Sequence, residues 1–168
     1  MVQKMSEDVN RNRLITDDVC EALKEGQTPI VLTGLTAHVE TLTKALAPHC
    51  KHVVTLVGSE PAKEKHRRME YLQNVQPSEP LVIVATGKYV GEGFDYPRLD
   101  TLFLALPVSW KGIVAQYAGR LHREYTGKKE VRIYDYIDIR MPMCDVMYRR
   151  RLKGYASVGY RIKQEKPV

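Results

Sequence analysis

The chain has 168 residues, of which 43% are hydrophobic and 27% charged, a composition typical of one soluble globular domain with a core of its own. It has no signal peptide and no apolar run near the ~18 residues needed to cross a membrane, and its three widely spaced cysteines argue against a zinc site, so we expect a cytoplasmic protein without a metal site. The net charge of +6 favours a polyanionic partner such as nucleic acid, although many soluble domains carry a similar excess without one.

Apolar periodicity and chain-breaking residues predict helices that alternate with strands along the chain. The first helix is expected to stop at Gly26, and Thr36 is expected to cap the second, which ends before Pro48. The predicted helices are 5–24, 36–47, 61–75, 110–122 and 142–155. The predicted strands are 30–32, 52–57, 81–85, 101–106 and 131–137, and a glycine-rich loop spans residues 86–97.

This alternation predicts an α/β fold of three layers, because right-handed crossovers join successive strands into a mostly parallel sheet with helices on both faces. We expect this domain to span residues 28–140, preceded by an accessory helix (1–27) and followed by a basic helix and tail (141–168). In such sheets, binding sites collect at the carboxyl ends of the strands. The turns that follow the strands are therefore the first places to look for a site.

The glycine-rich loop 86–97 follows directly after a buried strand. Glycines let a backbone approach a ligand closely and present its N–H groups. Asp95 on this loop suits hydrogen bonds from ribose hydroxyls. The loop by itself is also compatible with a plain turn, since closely spaced glycines are a weak signal.

The segment 116–123 carries a second candidate cluster. Arg120 and Arg123 are three residues apart on a predicted helix, which places both guanidiniums on one face. Gly119 removes side-chain bulk beside them and so indicates a close approach. Two guanidiniums suit a phosphoryl group in transfer, whereas a solvated basic helix face, or salt bridges to acidic neighbours, explains the segment better in isolation.

Together the two segments resemble the second RecA-like domain of superfamily 2 helicases of the DEAD/DEAH type. Thr86 with residues 93–97 resembles motif V, and residues 116–123 resemble motif VI. Residues 31–34 and 56–58 lie where motifs IV and IVa are expected. The segments 11–15 and 134–138 look like a bacterial branch similar to the XPB-like DNA-repair helicases and the helicase subunits of type III restriction enzymes. The resemblance implies a RecA-like, P-loop NTPase-like fold.

The resemblance also implies a role for individual residues. Arg120 and Arg123 would be arginine fingers that reach the γ-phosphate of ATP, and Gln116 would position the phosphate end and the attacking water. The residues expected to contact the nucleotide are Glu92, Gly93, Asp95 and Gly119. Those expected to contact nucleic-acid phosphates are Thr33, Gly34, Gly58, Ser59, Thr86 and Gly87.

The sequence lacks the other half of an ATPase site. Lys88 and Lys128 each follow a glycine, but neither is followed by Ser or Thr, and no D-E-x-H segment is present to hold magnesium. We therefore expect ATP and Mg²⁺ to be held by an N-terminal RecA-like lobe of the same, longer polypeptide. This chain alone should bind no cofactor tightly and should not hydrolyse ATP; the whole is expected to be an ATP-dependent helicase acting on DNA, or on RNA, in repair or restriction.

Two other interpretations stay open. The chain could be a non-catalytic nucleic-acid-binding or regulatory module with the same fold. A small phosphate-binding enzyme would need its own phosphate cradle and acid–base pair, and neither is visible. Among isolated residues, we expect His38 to be a surface or capping residue, and we expect the basic residues 149–153 to be solvated or to bind phosphate.

Overall fold

The structure, a computed structural model, describes residues 1–91, 94–138 and 140–165. Five strands of these ranges form a sheet: β1 (Pro29–Thr33), β2 (His52–Leu56), β3 (Leu81–Thr86), β4 (Thr101–Leu104) and β5 (Arg132–Asp135). Their order is β2-β3-β1-β4-β5, and every neighbouring pair is parallel. The three central strands are buried along their whole length, as expected for a sheet covered on both faces.

The helices of the described ranges are α1 (Val2–Ser6), α2 (Val9–Lys24), α3 (Thr36–Leu46), α4 (Ala62–Asn74), α5 (Gly87–Gly91), α6 (Ala115–Arg120) and α7 (Pro142–Ser157). A short 3-10 turn, Ala47–His49, follows α3. On one face of the sheet, α2 and α3 pack their apolar residues on Val31, Val84 and Phe103. On the other face, apolar residues of α4 to α7 pack on Ile30, Ile83 and their neighbours. The three-layer prediction is confirmed.

The N-terminal helix is divided, where the sequence predicted one helix over 5–24. Asp8 caps α2: its carboxylate accepts hydrogen bonds from the backbone N–H groups of Asn10 (2.9 Å) and Arg11 (3.0 Å). An aspartate in this position satisfies N–H groups that have no partner inside the helix, so a new helix starts there. The predicted stop is correct, since Gly26 has a positive φ of 79°.

Other boundaries also differ from the prediction. Residues 87–91 form the single turn of α5 at the start of the expected loop. The helix predicted over 110–122 is regular only in α6, because Lys111 (ψ 141°) and Gly112 (φ 86°) have non-helical backbone angles. Thr36 is the first residue of α3 and not its cap; the cap position is Leu35, which makes no side-chain capping bond.

Candidate functional site

Parallel strands bring the residues predicted to contact nucleic acid, which follow β1, β2 and β3, to one edge of the sheet, because the carboxyl ends of these strands lie there. Thr33 and Thr86 end neighbouring strands and are paired in register. On the face of the sheet covered by α4 to α7, α6 packs through the buried side chains of Tyr117 and Ala118. This leaves Gln116 and Gly119 exposed and Arg120 half-buried.

Arg120 is held by the loop that precedes β4. Its Nη1 donates a short hydrogen bond to the carbonyl oxygen of Phe94 and lies 3.5 Å from that of Val90. The Phe94 ring is buried and lies parallel to that of Tyr117, with 6.4 Å between ring centroids. The aromatic contact anchors the loop against α6, so Asp95, the next residue, is placed beside the arginines.

Arg123 lies just beyond α6, in a turn closed by its backbone N–H and the carbonyl of Arg120 (3.1 Å). Its Nη2 is 3.4 Å from Oδ2 of Asp95, and the two side chains are 60% and 36% exposed. The two arginines therefore converge on the Phe94–Asp95 loop, although the helix that was expected to carry both ends at Arg120. An exposed pair of this kind contributes about 0–1 kcal/mol, so it is readily exchanged for another charged partner.

Two further expectations about this cluster have separate outcomes. A Cβ added at Gly119 would meet nothing within 4 Å, so the close approach expected there is not made by any described part of the chain. Glu92 and Gly93, which were expected to contact the nucleotide, lie outside the described residues.

Two residues that the sequence did not single out, Lys128 and Tyr160, hydrogen-bond to the backbone of the segment that carries Arg120 and Arg123. Lys128 Nζ donates to the carbonyl oxygens of Arg123 (2.7 Å) and Pro97 (2.9 Å). Tyr160, beyond α7, donates its hydroxyl to the carbonyl of Ala118 (3.0 Å), and its ring centroid lies 5.3 Å from that of His122. Neither residue belongs to a recognisable motif, and the only signal in the sequence is the Thr-Gly-Lys turn that carries Lys128.

At the end of β1, the polar side chains hydrogen-bond to other groups of the protein interior. Asn12 donates from Nδ2 to the carbonyl of Ser6 (2.8 Å), so its Oδ1 accepts from His38 Nε2 (2.8 Å). His38 Nδ1 is then the acceptor for the Thr33 hydroxyl (2.8 Å). We call these four residues, Ser6, Asn12, His38 and Thr33, the His38 relay. The Thr33 side chain is therefore buried and bonded to His38, and Gly34 is exposed in this turn; the phosphate contact expected from these two residues stays a prediction.

The expectation that His38 is a surface or capping residue is wrong. Its ring is 1% exposed, between α2 and the end of β1. Burial, together with the positive charge of Arg11, lowers the pKa of His38 to about 4, so the ring is neutral at physiological pH. A histidine with both nitrogens hydrogen-bonded and no charge has a structural role here.

A hydrogen bond joins the ends of the neighbouring strands β2 and β3. The backbone N–H of Gly58 donates to Thr86 Oγ1 at 3.0 Å, and Thr86 is buried. A Cβ at Gly58 would lie 2.8 Å from Cγ of Lys88, so the lysine stem runs directly over this glycine. The exposed residues at this point are Ser59 and Lys88, while Gly87 begins α5.

The C-terminal arginines divide into two kinds. Arg149 pairs with Asp145 at the surface (3.0 Å), but Arg151 is 1% exposed and makes a bidentate ion pair with Asp135 (2.7 and 2.9 Å). Tyr155 also donates to Asp135 (2.8 Å), and burial raises the pKa of its hydroxyl. The expectation of solvation or phosphate binding is therefore wrong for Arg151, which ties α7 to the end of β5.

Across residues 1–91, 94–138 and 140–165, no three His, Cys, Asp or Glu side chains come together as a possible metal site. None of the helices in these ranges has the length and apolar character to span a membrane.

No family model matches the chain. It is similar to transcript termination protein A18 of fowlpox virus, with 28% identity over 164 residues that cover 94% of this chain and 34% of that protein. It is also similar to A18 of cowpox virus, with 30% identity over 122 residues that cover 71% of this chain and 24% of the relative. The chain therefore spans about a third or less of the length of these relatives.

Among solved structures, T4 UvsW matches with a TM-score of 0.72 at 19% identity and covers 93% of this chain, which spans 34% of UvsW. The C-terminal part of the Fun30 ATPase domain matches with a TM-score of 0.60 at 17% identity, over 76% of this chain and 40% of that one. The ATP-dependent type ISP restriction-modification enzyme LlaBIII, bound to DNA, matches at 0.50 and 22% identity, over 64% and 8%. These likenesses confirm the RecA-like fold; the bacterial branch stays a prediction.

Proposed function

We propose that this chain is the C-terminal motor lobe of an ATP-dependent nucleic-acid helicase or translocase, and that it supplies Arg120 and Arg123 to an ATP molecule held on a partner lobe. The observation that carries the proposal is the convergence of both guanidiniums on the Phe94–Asp95 loop. The RecA-like fold and the likeness to the ATPase domain of Fun30 support it.

In this proposal the Arg123–Asp95 pair is a resting arrangement. Phosphoryl transfer depends on positioned positive charge, because negative charge spreads over the transferred group. When the partner lobe presents ATP, Arg123 exchanges Asp95 for the γ-phosphate, and the released carboxylate becomes free to accept hydrogen bonds from the ribose. Arg120, whose guanidinium is hydrogen-bonded to the Phe94 carbonyl, also lies beside the γ-phosphate. Gln116 orients the attacking water.

ATP and Mg²⁺ would be held mainly by an N-terminal RecA-like lobe of the same polypeptide. This is supported by the lengths of the relatives, of which the chain covers 34% and 24% in fowlpox and cowpox virus, respectively. Glu92, Gly93 and Gly119 complete the proposed nucleotide-facing set from this side. The isolated chain should then lack ATP turnover.

The nucleic-acid strand would cross the ends of β1, β2 and β3. Gly34, Ser59 and Gly87 offer backbone or hydroxyl contacts there, while the side chains of Thr33 and Thr86 hold the turns in shape. Such contacts follow the phosphate backbone and carry little sequence information. DNA is the first nucleic acid to test, since LlaBIII is bound to DNA. RNA is the second, because the poxvirus relatives are named transcript termination proteins.

The test is ATP hydrolysis by the full polypeptide that contains this chain, with and without DNA or RNA. Arg120→Ala and Arg123→Ala should each lower stimulated turnover by about 10³-fold, as removal of other arginine fingers does. Arg161→Ala, which removes an exposed arginine beyond α7, is the matched control and should leave turnover unchanged. Full turnover in both finger variants would refute the motor proposal, and strand binding without any turnover would favour the non-catalytic module.

A further inference from the structure

Lys128 lies at the end of a tight turn in the loop that joins α6 to β5. The backbone N–H of Lys128 donates to the carbonyl of Tyr125 at 3.0 Å, and Gly127 has a φ of 86°. A positive φ at the third residue of a four-residue turn favours glycine. This turn directs the lysine side chain back towards α6 and away from β5.

The ammonium of Lys128 hydrogen-bonds to two segments of the chain, one that carries Arg123 and one that carries Asp95. One hydrogen bond goes to the carbonyl of Arg123 itself (2.7 Å), and the other to the carbonyl of Pro97, two residues after Asp95 (2.9 Å). The Arg123 and Asp95 side chains meet at 3.4 Å on the solvent side of this link. One cation therefore links two loop segments, one before β4 and the other after α6.

The surroundings of Lys128 favour this link over free solvation. The side chain is half-buried; burial lowers the pKa of Lys128, and the carboxylates of Asp100 and Asp95 partly offset this effect. Hydrogen bonds from a charged donor are roughly twice as strong as neutral ones. Lys129, its neighbour, is exposed, which makes it a matched control.

We propose that Lys128 is a positioning residue: it holds the Arg123 backbone against the Asp95 loop, so that the Arg123 guanidinium reaches the phosphoryl group of ATP in the correct place. This inference rests on the proposed function. It predicts an effect on the chemical step more than on binding, because Lys128 contacts the arginine's backbone and not the nucleotide. Displacement of a catalytic group by about 1 Å can lower a rate by about 10²-fold.

The experiment compares steady-state ATP hydrolysis by variants of the full polypeptide. Lys128→Met should lower kcat by between about tenfold and 10²-fold while KM for ATP stays within about twofold. Lys128→Arg should restore part of the loss, because a guanidinium can reach the same carbonyls. Lys129→Met should match the wild type. In an Arg123→Ala background, Lys128→Met should cause no further loss, since its effect acts through Arg123.

Two outcomes distinguish the failure of this inference from that of the proposed function. If Arg123→Ala lowers turnover but Lys128→Met does not, or if the two losses multiply, Lys128 does not position Arg123 and the motor proposal survives. If neither Arg120→Ala nor Arg123→Ala lowers turnover, the motor proposal fails, and amide hydrogen exchange of this chain decides the role of Lys128. Residues 95–99 and 121–125 should exchange faster in Lys128→Met than in Lys129→Met; equal exchange would overturn the positioning role.

Discussion

Two groups of polar residues, one at the end of β1 and one between α6 and the loop before β4, use their hydrogen-bonding groups in opposite ways. In the His38 relay, each donor has an acceptor, and the histidine ring is excluded from solvent and neutral. In the cluster formed by Asp95, Arg120, Arg123 and Lys128, which we call the finger cluster, the Arg123–Asp95 ion pair is open to solvent. Complete hydrogen bonding indicates a structural role, whereas weakly paired exposed charge beside a cleft indicates a ligand.

The energetic consequences differ in the same way. A buried polar group that loses its partner destabilises the fold by about 1–3 kcal/mol, while an exposed ion pair contributes about 0–1 kcal/mol. Substitutions in the relay should therefore reduce stability, and substitutions in the finger cluster should reduce activity. The comparison can be tested by measuring both quantities for each variant.

The largest expected effect is the separation of activity from stability in Arg123→Ala. Turnover of the full polypeptide should fall by about 10³-fold, while the free energy of unfolding changes by less than about 1 kcal/mol, because Arg123 is exposed and its pair with Asp95 is weak. Urea unfolding and ATP hydrolysis of the same preparation measure the two quantities. A large loss of stability would show that Arg123 is a structural residue, like those of the relay.

The opposite pattern is expected for His38→Leu. Leucine leaves Asn12 Oδ1 without its donor and the Thr33 hydroxyl without its acceptor, both in the protein interior. The free energy of unfolding should fall by about 2–6 kcal/mol, the sum of two buried groups left unsatisfied at about 1–3 kcal/mol each. Urea unfolding measures it. Wild-type stability would mean that water enters to replace the imidazole and that the relay is not sealed.

The two regions also differ in how far the sequence predicts them. Arg120, Arg123 and Asp95 could be identified because motif V and motif VI place fixed residue types at fixed local spacings, and the buried strands β1 and β3 are uninterrupted apolar runs. The relay could not be identified, because His38 meets an asparagine 26 residues earlier in the chain, and no local pattern encodes that contact. The burial of Arg151 has the same origin, since its partner Asp135 lies 16 residues away on β5.

Local signals were also missed. Asp8 directly before a helical segment is an N-cap signal that could have divided the first predicted helix. Gly112 within an apolar helical pattern could have indicated the kink that delays α6. In contrast, five residues that begin and end with glycine carry no helix signal, so α5 depends on packing of Tyr89 and Val90 in the core.

The pH dependence of stability offers a finer test of the relay. The unfolded histidine titrates near 6.5 and the folded one near 4, so between these values the unfolded chain binds the additional proton and stability falls as pH falls. His38 should remove roughly 3 kcal/mol of stability from pH 7 to pH 4, because each unit of pKa shift corresponds to about 1.4 kcal/mol. The difference between wild type and His38→Gln isolates this contribution, since other titrating groups cancel. Parallel stability curves would show that His38 is protonated in the native state.

The smallest expected effect lies between the two regions, at Gly58. A methyl group there would lie 2.8 Å from Cγ of Lys88, and because Cβ of Lys88 is equally close, the whole side chain must move. If the strand crosses this point, Gly58→Ala should weaken nucleic-acid binding by a few fold, and reduce its salt dependence by up to one phosphate contact, a slope of about 0.7–0.9. Adding Gly58→Ala to Lys88→Gly should then cause no further loss, because Lys88→Gly also removes the Cβ that lies 2.9 Å from the new methyl group. A further loss in the double variant would mean that the backbone of Gly58 itself contacts the phosphate. Gly58 would then belong, like the finger cluster, to the residues that bind a ligand, and not to those that hold the fold.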